Sequence, residues 1–160
     1  MNVTVDIQSA SAEPVPDEDD IRSWIQHALE GAGHQHDTEI SLRLVDEDEM
    51  AELNHTYRGK RGATNVLSFP ADLPPELALP MLGDIAICAP VVIREAREQG
   101  KPVGAHWAHM AVHGTLHLLG YDHLEDNEAQ EMESLETTVM NTLKLPCPYS
   151  GYPSEGRTAP

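Results

Sequence analysis

The sequence predicts an α+β domain: one mixed sheet of about four strands with helices packed on it. Two observations lead there. Short runs of alternating apolar and polar residues recur between turn formers, and longer segments with helical spacing lie between and after them. The order they give, βαβαββααα, has neither the regular βαβ alternation nor the GxGxxG loop of a doubly wound sheet. A third observation adds a function to the fold. The helix expected near residue 113 carries histidines at metal-ligand spacing, which makes it a zincin-like metal-site helix.

Val3, Val5 and Ile7 alternate with polar residues and predict the first strand. A loop follows, from Ser9 to Pro16. From Asp17, acidic residues lead into Ile21, Trp24, Ile25, Ala28 and Leu29, which share one helical face. Acid in the first turn suits the helix dipole, and Gly31 ends the helix. The polar stretch from Gly33 to Asp37, with His34 and His36, reads as a solvated loop.

Ile40, Leu42 and Leu44 alternate as a second strand. Asp46 to Asn54 reads as a short acidic helix with Met50 and Leu53 turned inward. Tyr57 to Gly62 reads as a glycine-punctuated loop, and its Arg58, Lys60 and Arg61 form the densest positive cluster in the chain. Thr64 to Phe69 is rich in β-formers and stops at Pro70, a third strand. Asp72 to Pro80 holds three prolines and reads as an exposed loop.

Gly83 to Cys88 is the fourth strand. Pro90 starts a helix from Val91 to Glu98, ended by Gly100, and Pro102 starts the next, from about Val103 to Leu119. After Gly120, the segment from Asn127 to Leu143 reads as a final helix with Met132, Leu135, Val139 and Leu143 inward. Residues 1–145 are thus expected to form a single domain. Residues 146–160, with four prolines, two glycines and no periodicity, are expected to be a poorly ordered tail.

A chain of 160 residues is long enough for a real core, and with few aromatics that core must be aliphatic. The formal net charge of −17 argues against non-specific attraction to DNA or to an anionic membrane. Any nucleic-acid site must then be a local basic patch. Cys88 and Cys147 form no CxxC and suggest a reducing compartment. No basic, apolar leader and no long apolar run is visible, so a cytoplasmic location is expected.

His113 and His117 stand at i and i+4, which on a helix puts their Cβ atoms about 5–6 Å apart on one face. Gly120 can take the left-handed conformation that reverses the chain and brings back His123 as a third ligand. Three imidazoles and an open fourth position describe a catalytic zinc centre. His106 and His109 extend the stripe to roughly 80° of the helix, as core, orienting or substrate contacts. Metzincin proteases share this spacing as HExxHxxGxxH, but their glutamate, the general base, is replaced here by Gly114. The ligand geometry survives that change and the peptidase chemistry does not.

Three stretches together resemble the YbeY family of bacterial endoribonucleases. They are His113-Gly114-Thr115-Leu116-His117 running on to Leu119-Gly120-Tyr121-Asp122-His123, Asn65-Val66-Leu67-Ser68-Phe69-Pro70 preceded by Arg58, and Leu82-Gly83-Asp84-Ile85. The likeness runs from about residue 38 to 137. It implies one zinc ion held by His113, His117 and His123, an α+β fold, and single-strand-specific cleavage of RNA. It also implies a part in 16S ribosomal RNA maturation and ribosome quality control, with the 16S precursor and the ribosome or its small-subunit proteins as partners. Arg61, after Lys60, departs from the family pattern, in which many members look acidic at that place.

Phosphodiester cleavage needs positive charge where negative charge develops on phosphorus oxygens. Zinc at His113 would supply one such centre. Arg58, with a fork suited to phosphate, would supply a second, and Lys60 and Arg61 would extend the substrate-binding patch. Asp84 and His109 are candidates for orienting a ligand histidine. The residues name no general base, and they leave water and the RNA 2′-OH both open as nucleophile. Two other readings stand beside the ribonuclease. One is a metallohydrolase of another substrate. The other is a non-catalytic ribosome-assembly factor with a structural zinc.

Overall fold

A computed structural model describes residues 1–71, 79–121 and 125–146. Most of the expected loop from Asp72 to Pro80, nearly all of the expected tail, and His123 lie outside the described residues. Among those described, the elements follow the expected order: β1 Val3–Ser9, α1 Glu18–Gly31, β2 Thr38–Val45, α2 Glu47–Arg58, β3 Val66–Pro70, β4 Met81–Cys88, α3 Ala89–Gln99, α4 Val103–Leu118 and α5 Asp126–Thr142. The fold is α+β.

One element differs in a way that matters for function. The helix expected to end at Asn54 continues a further turn, to Arg58. Nothing between His55 and Arg58 breaks a helix. Gly59, left-handed at φ 65, ends it, with its N–H on the His55 carbonyl at 3.0 Å. Tyr57 and Arg58, expected in a loop, therefore sit on a helical turn.

The four-stranded sheet has the order β1-β2-β4-β3. β1 and β4 flank β2 in parallel, and β3 pairs antiparallel with β4 at the edge. Strand alternation sorts the side chains to two faces. Val5, Ile40, Leu42, Leu44, Ile85 and Ile87 form one face and pack beneath α1 and α4, against Ile21, Ile25, Leu29, Trp107 and Met110. Val45, Leu67, Ala86 and Cys88 turn to the other face, where a smaller core forms with Met50 of α2 and Val91 of α3. α5 closes the helical side by setting Met132, Val139 and Met140 against Ala28, Ala108, Val112 and Leu116.

α4 is the central helix. Nearly every side chain from Ala105 to Leu118 is buried, as its apolar circumference predicts. Its contact with the sheet is close at Gly114. A Cβ there would lie 3.1 Å from Ile85 Cγ2, 3.2 Å from Val66 Cγ2 and 3.3 Å from Ser68 Oγ. Ser68 of β3 also donates its hydroxyl to the Gly114 carbonyl at 2.8 Å, tying the edge strand to the helix.

Candidate metal centre and groove

Three of the four histidines of α4, His106, His109 and His113, are held by two buried or half-buried glutamates that the sequence reading did not single out. Glu136 of α5 is fully buried, and its Oε2 lies 2.7 Å from His113 Nδ1 and 3.1 Å from His109 Nε2. Burial alone would push the Glu136 carboxyl up. The hydrogen bonds from His109 and His113 outweigh it and hold the carboxyl well below the usual carboxylate range. Burial pushes His109 down, against the opposing pull of Glu136. A carboxylate only accepts, so both imidazole atoms facing it carry protons.

That assignment leaves His113 Nε2 with a lone pair. Nε2 of His117, one turn along, lies 3.0 Å from it. Around a tetrahedral zinc with bonds of 2.0–2.1 Å, two imidazole nitrogens would sit about 3.3–3.4 Å apart. The pair therefore faces one point at close to ion-binding separation, with its orientation fixed from behind by a carboxylate. These residues fit a zinc ion. His109, His113 and Glu136 also have ligand atoms within 4.8 Å of one another and could hold a metal ion. Beyond His117 the chain turns at Gly120, whose φ of 103 is open to glycine and strained for other residues.

Further along the helix, His106 Nε2 lies 2.9 Å from Glu95 Oε1 of α3. Burial lowers the His106 pKa, with Glu95 pulling the other way. Asn65, just before β3, donates to both oxygens of the same carboxylate, at 3.2 and 3.4 Å. This histidine thus helps fix the start of the edge strand.

His113 and His117 open onto a groove of about 840 Å³. Its other walls are Tyr57 and Arg58 at the end of α2, the edge strand from Thr64 to Pro70, and Gly120 with Tyr121. Arg58 is exposed and shares this groove with the two histidines, although it lies 55 residues before His113. Lys60 and Arg61 are exposed in the loop beyond Gly59. Buried Asn54 pins that loop by donating to the Gly62 carbonyl at 2.9 Å.

Asp84 lies elsewhere. Strand parity turns it to the face opposite α4, where it lines a second groove with Asp6, Arg43 and Glu49. The carboxylate on His113 is Glu136 instead. A signal for it exists in the sequence: Glu136 falls within the apolar stripe of Met132, Val139 and Met140, where a charge needs a partner. The structure also explains Gly114. A Cβ on it would meet Val66, Ile85 and Ser68 at 3.1 to 3.3 Å, so a larger side chain there is crowded against the sheet.

Comparison with known proteins follows the same lines. A family model described as endoribonuclease YbeY matches residues 5–144. A protein of Pseudomonas syringae pathovar tomato, named endoribonuclease YbeY, is 56% identical over 147 residues, covering 91% of this chain and 87% of the relative. One from Pseudomonas fluorescens with the same name is 55% identical, covering 91% of this chain and 95% of its own. The solution structure of a Thermotoga maritima protein superposes with a TM-score of 0.56 at 25% identity, covering 95% of this chain and 99% of that one. With its histidine helix, its groove and these relatives, the chain belongs to the YbeY endoribonuclease family.

Proposed function

We propose that this protein is a zinc-dependent, single-strand-specific endoribonuclease acting in 16S ribosomal RNA maturation and ribosome quality control in the cytoplasm. Its partners in that reading are the 16S precursor and the ribosome or its small-subunit proteins. The observation that carries the chemistry is the 3.0 Å approach of His113 Nε2 and His117 Nε2 at a groove that also holds Arg58. His113 and His117 would hold the zinc, and His123, six residues after His117, would be the third ligand. Glu136 is better suited to orienting than to ligation, because it is fully buried and already engaged by two imidazoles.

When bound, zinc supplies positive charge beside the scissile phosphodiester. The chain's own residues do the rest. Arg58 grips a phosphate oxygen with a charge-assisted hydrogen bond and stabilises the charge that builds there. Lys60 and Arg61 bind flanking phosphates. Glu136 keeps the proton on His113 Nδ1, so that Nε2 stays a lone-pair donor. No carboxylate stands at position 114, which disfavours a peptidase.

The test is metal analysis of the purified protein followed by cleavage of single-stranded ribosomal RNA by wild type and His113→Ala. The reading expects about one zinc per chain and cleavage lost in the variant. A folded His113→Ala protein that cleaves RNA as well as wild type would sink it.

A further inference from the structure

We infer that Tyr57, braced by Phe69, is a stacking platform for an unpaired nucleobase next to the phosphodiester that Arg58 holds. The inference rests on the ribonuclease reading and adds a specificity-determining residue to it.

Three observations converge on Tyr57. It is 65% exposed, unusual for so large an apolar side chain in a protein with an extensive buried core. It lines the same groove as His113 and His117 and immediately precedes Arg58. Finally, its ring is supported. The Phe69 centroid lies 5.0 Å away with the planes at 60°, and Phe69 is itself packed on the small core beneath α2. A tilted contact of this kind occupies at most one face of the tyrosine. The ring is therefore held from one side and open on another.

Charge gives the platform a reason. The protein carries −17, against which Arg58 lines the groove and Lys60 and Arg61 are exposed in the loop that follows it. Phosphate contacts alone are a weak basis for holding RNA on such a surface. Stacking does not depend on net charge, and every base has a face to offer. In a duplex each base is already stacked between neighbours. A platform that needs a free face selects single strands.

Steady-state cleavage of a single-stranded RNA by the zinc-loaded enzyme tests this, with Tyr57→Ala, Tyr57→Phe and Tyr57→Trp beside wild type. Binding is read in parallel by stopped-flow anisotropy of the labelled RNA. Tyr57→Ala should raise KM about 10- to 100-fold with kcat changed less than about threefold, and Phe and Trp should restore KM. A second arm replaces the bases flanking the cleaved bond, one at a time, with abasic sites. One such site should weaken wild type by a similar factor and leave Tyr57→Ala no worse. Unchanged KM in Tyr57→Ala, or fully additive losses at every abasic position, would overturn the platform while leaving the ribonuclease intact. A wild type that neither binds nor cleaves RNA would overturn both.

Discussion

His113 Nδ1 and Glu136 Oε2 meet at 2.7 Å across the interface of α4 and α5, with the carboxylate fully buried. The contact fixes which nitrogen of His113 is protonated and which faces the groove. Glu136→Gln keeps the shape and can keep an oxygen toward both imidazoles, but it removes the negative charge that holds the proton on His113 Nδ1. We expect zinc affinity to fall roughly 10- to 100-fold, read by competition with a chromophoric chelator. Unchanged affinity would show that the carboxylate plays no part in orienting the ligand.

Metal removal should abolish RNA cleavage without unfolding the protein. α4 is anchored by Trp107, Val112 and Leu116, each at most 2% exposed, so its burial does not depend on an ion. Far-UV circular dichroism of the chelated protein should match the untreated one, and added zinc should restore cleavage. Loss of the helical signal on chelation would make the metal structural instead.

Arg58→Ala should leave stability within about 0.5 kcal/mol of wild type, since the side chain is exposed at the end of α2. Cleavage should fall about 10- to 100-fold, with Arg58→Lys intermediate because it keeps the charge and loses the fork. Kinetics and urea denaturation of the same preparations separate the two effects.

Gly114→Ala should destabilise the fold by up to about 2 kcal/mol, because overpacking against Ile85, Val66 and Ser68 at 3.1 to 3.3 Å costs about 1–3 kcal/mol while alanine returns about 1 kcal/mol of helix propensity. Urea midpoints measure it. A variant as stable as wild type would mean that α4 can lift from the sheet at little cost.

Salt should weaken RNA binding only gently. With two or three phosphates neutralised by Arg58, Lys60 and Arg61, the slope of log K against log salt should lie between about −1.4 and −2.1, from about −0.7 per contact on single strands. A slope beyond roughly −5 would require a larger basic surface than these three residues form.

Much of the architecture could be read from residue periodicity. The first two strands announce themselves by alternation and the third by its β-formers, Gly31 is the last residue of its helix, and Gly59 and Gly100 cap theirs. The misses share a cause, which is that tertiary context decides them. Glu136 looks like any surface carboxylate until α4 is laid across it. The polar residues after Asn54 gave no periodic signal, so the last turn of α2 was invisible, and with it the helical footing of Tyr57 and Arg58. Asp84 sits one residue from Ile85, yet parity sends the two to opposite faces.

The tight seat of Gly114 also bears on ancestry. The histidine spacing here is that of metal-dependent peptidases, one glutamate short. Because Val66, Ile85 and Ser68 crowd the space beside that glycine, an acid introduced there would have to displace side chains on two strands. The two chemistries are alike in how they space the histidines that grip an ion, and the close packing of one helix on its sheet sets them apart.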